Sequence, residues 1–182
     1  MHTTVRNLIV NVLEERKPLV AMAIRQRAKF EGWLKFELAY RTSQVNDIKD
    51  VLVESGYEGQ KIRGDLLFRR NDKEYLIELK TPNTSWRMDG VEKKIRPITK
   101  NISSIVADGQ KLKSHPNGGI IAFVLFPIPI SDRRWLVYLN QISNDLGVPL
   151  VEHEHTSQVT IPLDNNQSSN LVVCAFTVPH SQ

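Results

Sequence analysis

Apolar residues in the first part of the chain recur at helical spacing. Val5, Leu8, Ile9, Val12 and Leu13 fall on one face of a first helix. Pro18 suits the first turn of a second helix, where its missing N–H costs nothing. That helix is expected to carry Leu19, Ala23, Ile24, Phe30, Leu34 and Leu38. A short helix is expected over 46–53, stopped by Gly56. The period then shortens: 62–68 and 75–79 read as strands joined by a polar turn at Asn71-Asp72. A loop follows over 81–90, with Pro82, Asn83 and Gly90. Helical spacing returns over 91–114 through Ile95, Ile98, Ile102, Ile105 and Leu112, with Pro97 as the alternative start. Gly118-Gly119 ends it, and 120–126 is continuously apolar, as in a strand buried on both faces. Ser131 or Asp132 caps a further helix with Trp135, Leu139, Ile142 and Leu146 on one face and Gly147 behind it. Segments 150–152, 159–161 and 171–178 read as strands, and 164–170 as a polar loop. The expected fold class is α/β, a mixed β-sheet flanked by α-helices, in a single domain over 1–182.

Composition narrows the function classes. Of 182 residues, 41% are hydrophobic, enough for one sizeable core. The longest apolar run, 120–130, is broken by Pro127 and Pro129 and is too short to span a membrane. The first residues lack the basic-then-apolar order of a secretory signal, so a soluble cytoplasmic protein is expected. The single cysteine, Cys174, excludes an intramolecular disulfide and a multi-cysteine zinc site, and its apolar surroundings predict a buried thiol. The net charge of +4 is unevenly placed. Beyond residue 120 only Arg133 and Arg134 are basic, against Asp132, Asp145, Glu152, Glu154 and Asp164. The basic excess therefore sits in the first two thirds, where it suits a polyanionic partner.

The stretch that carries chemistry is Gly64-Asp65-Leu66-Leu67-Phe68, a turn, then Tyr75-Leu76-Ile77-Glu78-Leu79-Lys80. Glu78 and Lys80 share a strand face. A two-residue turn at Asn71-Asp72 pairs Arg70 with Lys73 and sets Asp65 opposite Glu78, with side chains about 5 Å apart. Two carboxylates that close repel unless a cation lies between them. Hard oxygen donors with open positions suit Mg²⁺, with Mn²⁺ as a substitute, and the Leu79 carbonyl supplies a third ligand. Lys80 then stands beside the attacking water and a scissile phosphate. Acid-x-Lys also occurs at Glu15-Arg16-Lys17, Asp47-Ile48-Lys49 and Glu92-Lys93-Lys94, in polar or helical settings. Only Glu78-Leu79-Lys80 lies in an apolar strand opposite a second acid.

Asp65, the hairpin and Glu78-Leu79-Lys80 together resemble the PD-(D/E)XK nuclease superfamily, over a core of roughly residues 28–128. The resemblance implies a restriction-endonuclease-like fold and metal-dependent cleavage of phosphodiester bonds. DNA is the implied partner ahead of RNA, with a homodimer as one way to cut both strands. It implies Asp65 and Glu78 as metal ligands and Lys80 as the catalytic lysine. The leading proline of the motif is absent, since Gly64 precedes Asp65. A further glutamate from the preceding helix is implied, for which Glu31 and Glu37 are the candidates, Glu37 favoured as nearer Asp65 in the chain.

Beyond Lys80, the residues Thr81, Asn83, Ser85, Trp86 and Arg87 form a polar exit loop with the donor types that meet phosphates and base edges. Trp86 is the candidate for base stacking. Lys93, Lys94 and Arg96 lead into the next helix as candidate nucleic-acid contacts. Gln110, Lys111 and Lys113 lie at its far end, and spacing alone does not choose between them. His153 and His155 share a face if 151–155 is a strand, which makes a weak transition-metal pair. The alternative to a nuclease is a non-catalytic nucleic-acid-binding or protein-scaffold module on the same fold.

Overall fold

The computed structural model describes residues 1–55, 63–93, 97–164 and 166–181. The elements in chain order are α1 (His2–Glu15), α2 (Lys17–Arg25), α3 (Glu31–Ser43), β1 (Ile48–Val53), β2 (Leu66–Arg70), β3 (Lys73–Lys80), α4 (Ile98–Lys113), β4 (Gly119–Pro129), α5 (Trp135–Leu146), α6 (Glu152–His155), β5 (Thr156–Pro162) and β6 (Ser168–Val178). The strands make one mixed sheet in the order β1-β2-β3-β4-β6-β5. Strands β1 to β3 form an antiparallel meander. The crossover through α4 then lays β4 parallel to β3, and β6 and β5 complete the sheet antiparallel.

Period-two alternation along the central strands builds a core on each face. Ala122, Val124 and Phe126 of β4 and Val173 and Ala175 of β6 pack against α1, α2 and α3. Ile121, Phe123, Leu125, Val172, Cys174 and Phe176 pack against α4 and α5. Both faces are covered, which is why 120–126 reads as an unbroken apolar run. Among the described residues no helix is long and apolar enough to cross a membrane.

Four elements differ from the pattern reading. The second helix is two helices, broken at 26–30 where Arg27 takes a φ of 47°. Segment 46–53 is not a helix but the edge strand β1. A register shift between Lys49 and Leu52, with Asp50 at a φ of 54°, breaks its alternation and leaves a spacing that imitates a helix. Segment 150–152 leads into the helical turn α6 rather than forming a strand, so His153 and His155 do not share a strand face; His155 stacks on His2 instead, 5.3 Å between rings. The helix expected over 91–114 begins at Ile98, with Pro97 as its N-cap. Gly56, Ile62 and Ile95 lie outside the described residues.

Gly118 and Gly147 are both left-handed, at φ 64° and 60°. A Cβ on Gly118 would sit 2.2 Å from the Val178 carbonyl oxygen, whereas one on Gly147 meets nothing within 4 Å. Gly147→Ala is therefore expected to cost about 1–2 kcal/mol, the left-handed penalty alone. Gly118→Ala adds an overpacking cost of about 1–3 kcal/mol. Urea unfolding of the two variants should show that ordering.

Candidate active site at the end of the central hairpin

The turn at Asn71-Asp72 adopts positive φ at both residues, 48° and 60°, as a two-residue hairpin turn requires. Arg70 pairs with Lys73, and the register runs unbroken to Leu66 opposite Ile77. Strand β2 starts there, but β3 continues to Lys80. Asp65 extends the ladder by one bond, its N–H donating to the Ile77 carbonyl at 2.9 Å. Beyond that point Leu79 has no strand on this side, and Asp65 Oδ2 accepts its N–H at 2.8 Å. The carboxylate thus turns into the plane of the sheet rather than standing on the Glu78 face. In a strand the N–H and C=O of one residue point to the same neighbour, so the Leu79 carbonyl faces the same gap. Gly64 is required here: a Cβ would lie 2.6 Å from Leu76 Cδ1 and 2.9 Å from the Ile77 carbonyl oxygen. Its N–H also donates to the Ser55 carbonyl at 3.1 Å, a bond a proline could not make.

Glu78 and Lys80 share a face, as expected, and both meet α4. Glu78 is buried at 5% exposure and receives Lys111 Nζ at 2.5 Å. Burial holds its carboxyl above the usual range, against the opposing pull of Lys111. Lys80 Nζ lies 3.2 Å from Asp108 Oδ2 and 3.9 Å from Glu31 Oε1. Burial disfavours the Lys80 ammonium, but the carboxylates of Glu31 and Asp108 outweigh it and the net direction is upward. Asp65 Oδ1 faces Lys35 Nζ at 3.4 Å, and Lys35 also donates to Glu54 at 2.6 Å. That Glu54 bond is the main reason the Lys35 ammonium is held above its usual range.

Asp108 and Lys111 are three apart on α4, so one helix face reaches both Lys80 and Glu78. Nothing in the sequence marked Asp108, whose neighbours Val106, Ala107 and Gly109 are small or apolar. Of the two glutamate candidates, Glu31 is at the site, accepting the Thr81 N–H at 3.1 Å. Glu37 is not: it faces Arg16 at 3.7 Å, away from the hairpin. Nearness in the chain misled, because the start of α3, through Glu31 and Lys35, meets the hairpin end, while Glu37 points toward Arg16.

The exit loop divides in two. Thr81 and Trp86 are buried, at 0% and 8% exposure, and do not offer a hydroxyl or a stacking face to substrate. The Trp86 ring packs instead under the Arg134 guanidinium, 4.6 Å away, and beside Tyr138. Asn83 bridges to Phe126, and its carbonyl accepts from Asn101 at 3.0 Å. Ser85, Arg87 and Lys93 are exposed and line one cleft of about 740 Å³, with Met88, Asp89 and Val91. Lys94 and Arg96 lie outside the described residues. The loop is anchored by Arg27, buried at 3% exposure, which donates to the carbonyls of Thr84, Trp86 and Glu92. Nothing in the sequence marked it, because the pattern there reads as one unbroken helix.

Among the described residues, no three Asp, Glu, His or Cys side chains converge on a common cation position. The Asp65 and Glu78 carboxylates and the Leu79 carbonyl, at neighbouring positions where β3 outruns β2, are nonetheless hard oxygen donors, the type that suits Mg²⁺. The positive charge they need is supplied in this structure by Lys35 and Lys111.

Because its folded-state carboxyl is raised, Glu78 binds its proton more tightly folded than unfolded. Its contribution to stability is complete below the ordinary carboxylate range and is lost as pH rises through the raised value. Glu78→Gln should therefore melt higher than the parent near neutral pH. The gain should vanish in acid, and melting curves at the two pH values check it. Comparison with protein-family profiles, curated proteins and solved structures finds no match.

Proposed function

We propose that the chain is a metal-dependent nuclease that hydrolyses phosphodiester bonds in DNA, built on a restriction-endonuclease-like core. The observation that carries this reading is the gathering of Asp65, Glu78, the Leu79 carbonyl and Lys80 where β3 outruns β2. Element order supports it as well: a helix, a three-strand meander, a crossover helix and a parallel strand bring that hairpin end against two helices. Asp65, Glu78 and the Leu79 carbonyl would hold Mg²⁺. The bound ion supplies charge that stabilises the developing oxyanion and makes water a better nucleophile. Lys80, held by Asp108 and Glu31, orients the attacking water and offsets charge on the phosphate. Ser85, Arg87 and Lys93 in the adjoining cleft position the backbone, and contacts of that kind carry affinity without reading sequence.

A second reading, a nucleic-acid-binding module that cuts nothing, is favoured by one feature: ammonium groups already neutralise both motif acids. The test separates the two. Plasmid, linear duplex, single-stranded and four-way-junction DNA are incubated with the protein in EDTA, Mg²⁺ or Mn²⁺. The nuclease reading expects metal-dependent cutting that falls at least about 100-fold in Lys80→Ala, the scale of a lost proton-handling group. Retained binding with no cutting in any metal selects the second reading. Cutting by Lys80→Ala at the parent rate overturns the proposed role of that lysine. Arg87→Ala and Lys93→Ala should each weaken DNA binding and reduce its salt slope by about 1, read by fluorescence anisotropy across a salt series.

A further inference from the structure

We infer that Lys111 is the site's resident counter-ion, and that a divalent cation enters by displacing it. The inference rests on the proposed metal site and deepens it by assigning a residue that sets its affinity. Lys111 Nζ has two oxygen partners. It lies 2.5 Å from Glu78 Oε1, and it donates to the backbone carbonyl of Arg63, two residues before Asp65. The ammonium therefore spans from β3 to the chain entering β2, beside the buried Glu78 carboxylate that calls for a cation. Its ligands, a carboxylate oxygen and a carbonyl oxygen, are of the kind a hard cation takes.

The two partners differ in freedom. The Glu78 side chain is only 6% exposed and is fixed in the sheet, whereas that of Lys111 is 38% exposed. Lys111 sits in the last turn of α4, so its four-carbon arm can carry the charge out into water without moving the helix. Glu78 has no such escape, and a buried carboxylate keeps a cation of one kind or another. The other lysines are engaged elsewhere: Lys80 faces Asp108 and Glu31, and Lys35 faces Glu54 and Asp65. Lys111 thus makes metal entry an exchange of charge rather than an addition. Free protein keeps Glu78 compensated, and only a cation that outcompetes the ammonium assembles the site.

The test reads metal binding without any nucleic acid. Mn²⁺ titrations followed by electron paramagnetic resonance and calorimetry, in mildly alkaline buffer, compare the parent, Lys111→Met, Lys111→Ala and Glu78→Gln. Lys111→Met keeps most of the aliphatic stem and guards against a packing defect in Lys111→Ala. Removing the competing charge should tighten Mn²⁺ at least about tenfold in both lysine variants, and Glu78→Gln should lose binding. In the parent, Mn²⁺ should raise the reactivity of Lys111 toward an amine-acetylating reagent, read by mass spectrometry, while the exposed Lys49 on edge strand β1 serves as the internal reference. Binding by the parent that is lost in Glu78→Gln but unchanged or weakened in both lysine variants overturns the exchange and leaves the metal site standing. Absence of Mn²⁺ binding in every protein overturns the metal site and the exchange with it.

Discussion

A carboxylate in the central part of a sheet covered on both faces has to be compensated, because ionised groups lose their hydration there. Glu78 is that carboxylate, and much of the local architecture follows from it. Strand β3 places it on the face toward α4, and α4 supplies Lys111. The same helix supplies Asp108 three residues earlier, which balances Lys80 one pleat along β3. Asp65 and Lys35 form a further acid–base pair at the strand end. The result is an alternating set of acids and lysines drawn from α3, α4, β3 and the residue before β2. Lys80 and Lys35 each face two acids, so a change at one member is felt by the others and the group does not behave as separate pairs.

The gap itself comes from unequal strand lengths. Were β2 to continue, Leu79 would be paired to backbone and its carbonyl would face a neighbouring strand. Asp65 ends that possibility by folding its carboxylate onto the Leu79 N–H. One side chain therefore both terminates the strand pairing and contributes an acid to the site. The glycine before it serves the same purpose, since the close approach of Leu76 leaves no room for a Cβ at residue 64.

The hairpin and its register were legible because they rest on local signals: a two-residue turn and alternation. The apolar run of β4 and the helix end at Gly147 were legible for the same reason. What escaped was set by distant contacts. Edge strand β1 carries a bulge that erases its alternation. Glu31 rather than Glu37 reaches the site because of where α3 starts relative to β3, a matter of packing angle and not of spacing. Trp86 sat among polar neighbours in the chain yet is buried under Arg134. Asp108 is one acid among twenty until the crossover brings α4 over β3.

The way Arg27 grips the exit loop has a consequence for how this protein can diverge. Its guanidinium donates to main-chain carbonyls at Thr84, Trp86 and Glu92. A carbonyl is present whatever side chain the residue bears. The clamp therefore constrains the path of the loop through its main chain, whatever side chains stand at Ser85, Arg87 and Lys93 along the cleft. Positions of that kind can be exchanged one at a time with the scaffold intact. Evolution, or a library of variants, has there a surface on which recognition can drift while the chemistry at the hairpin end stays fixed.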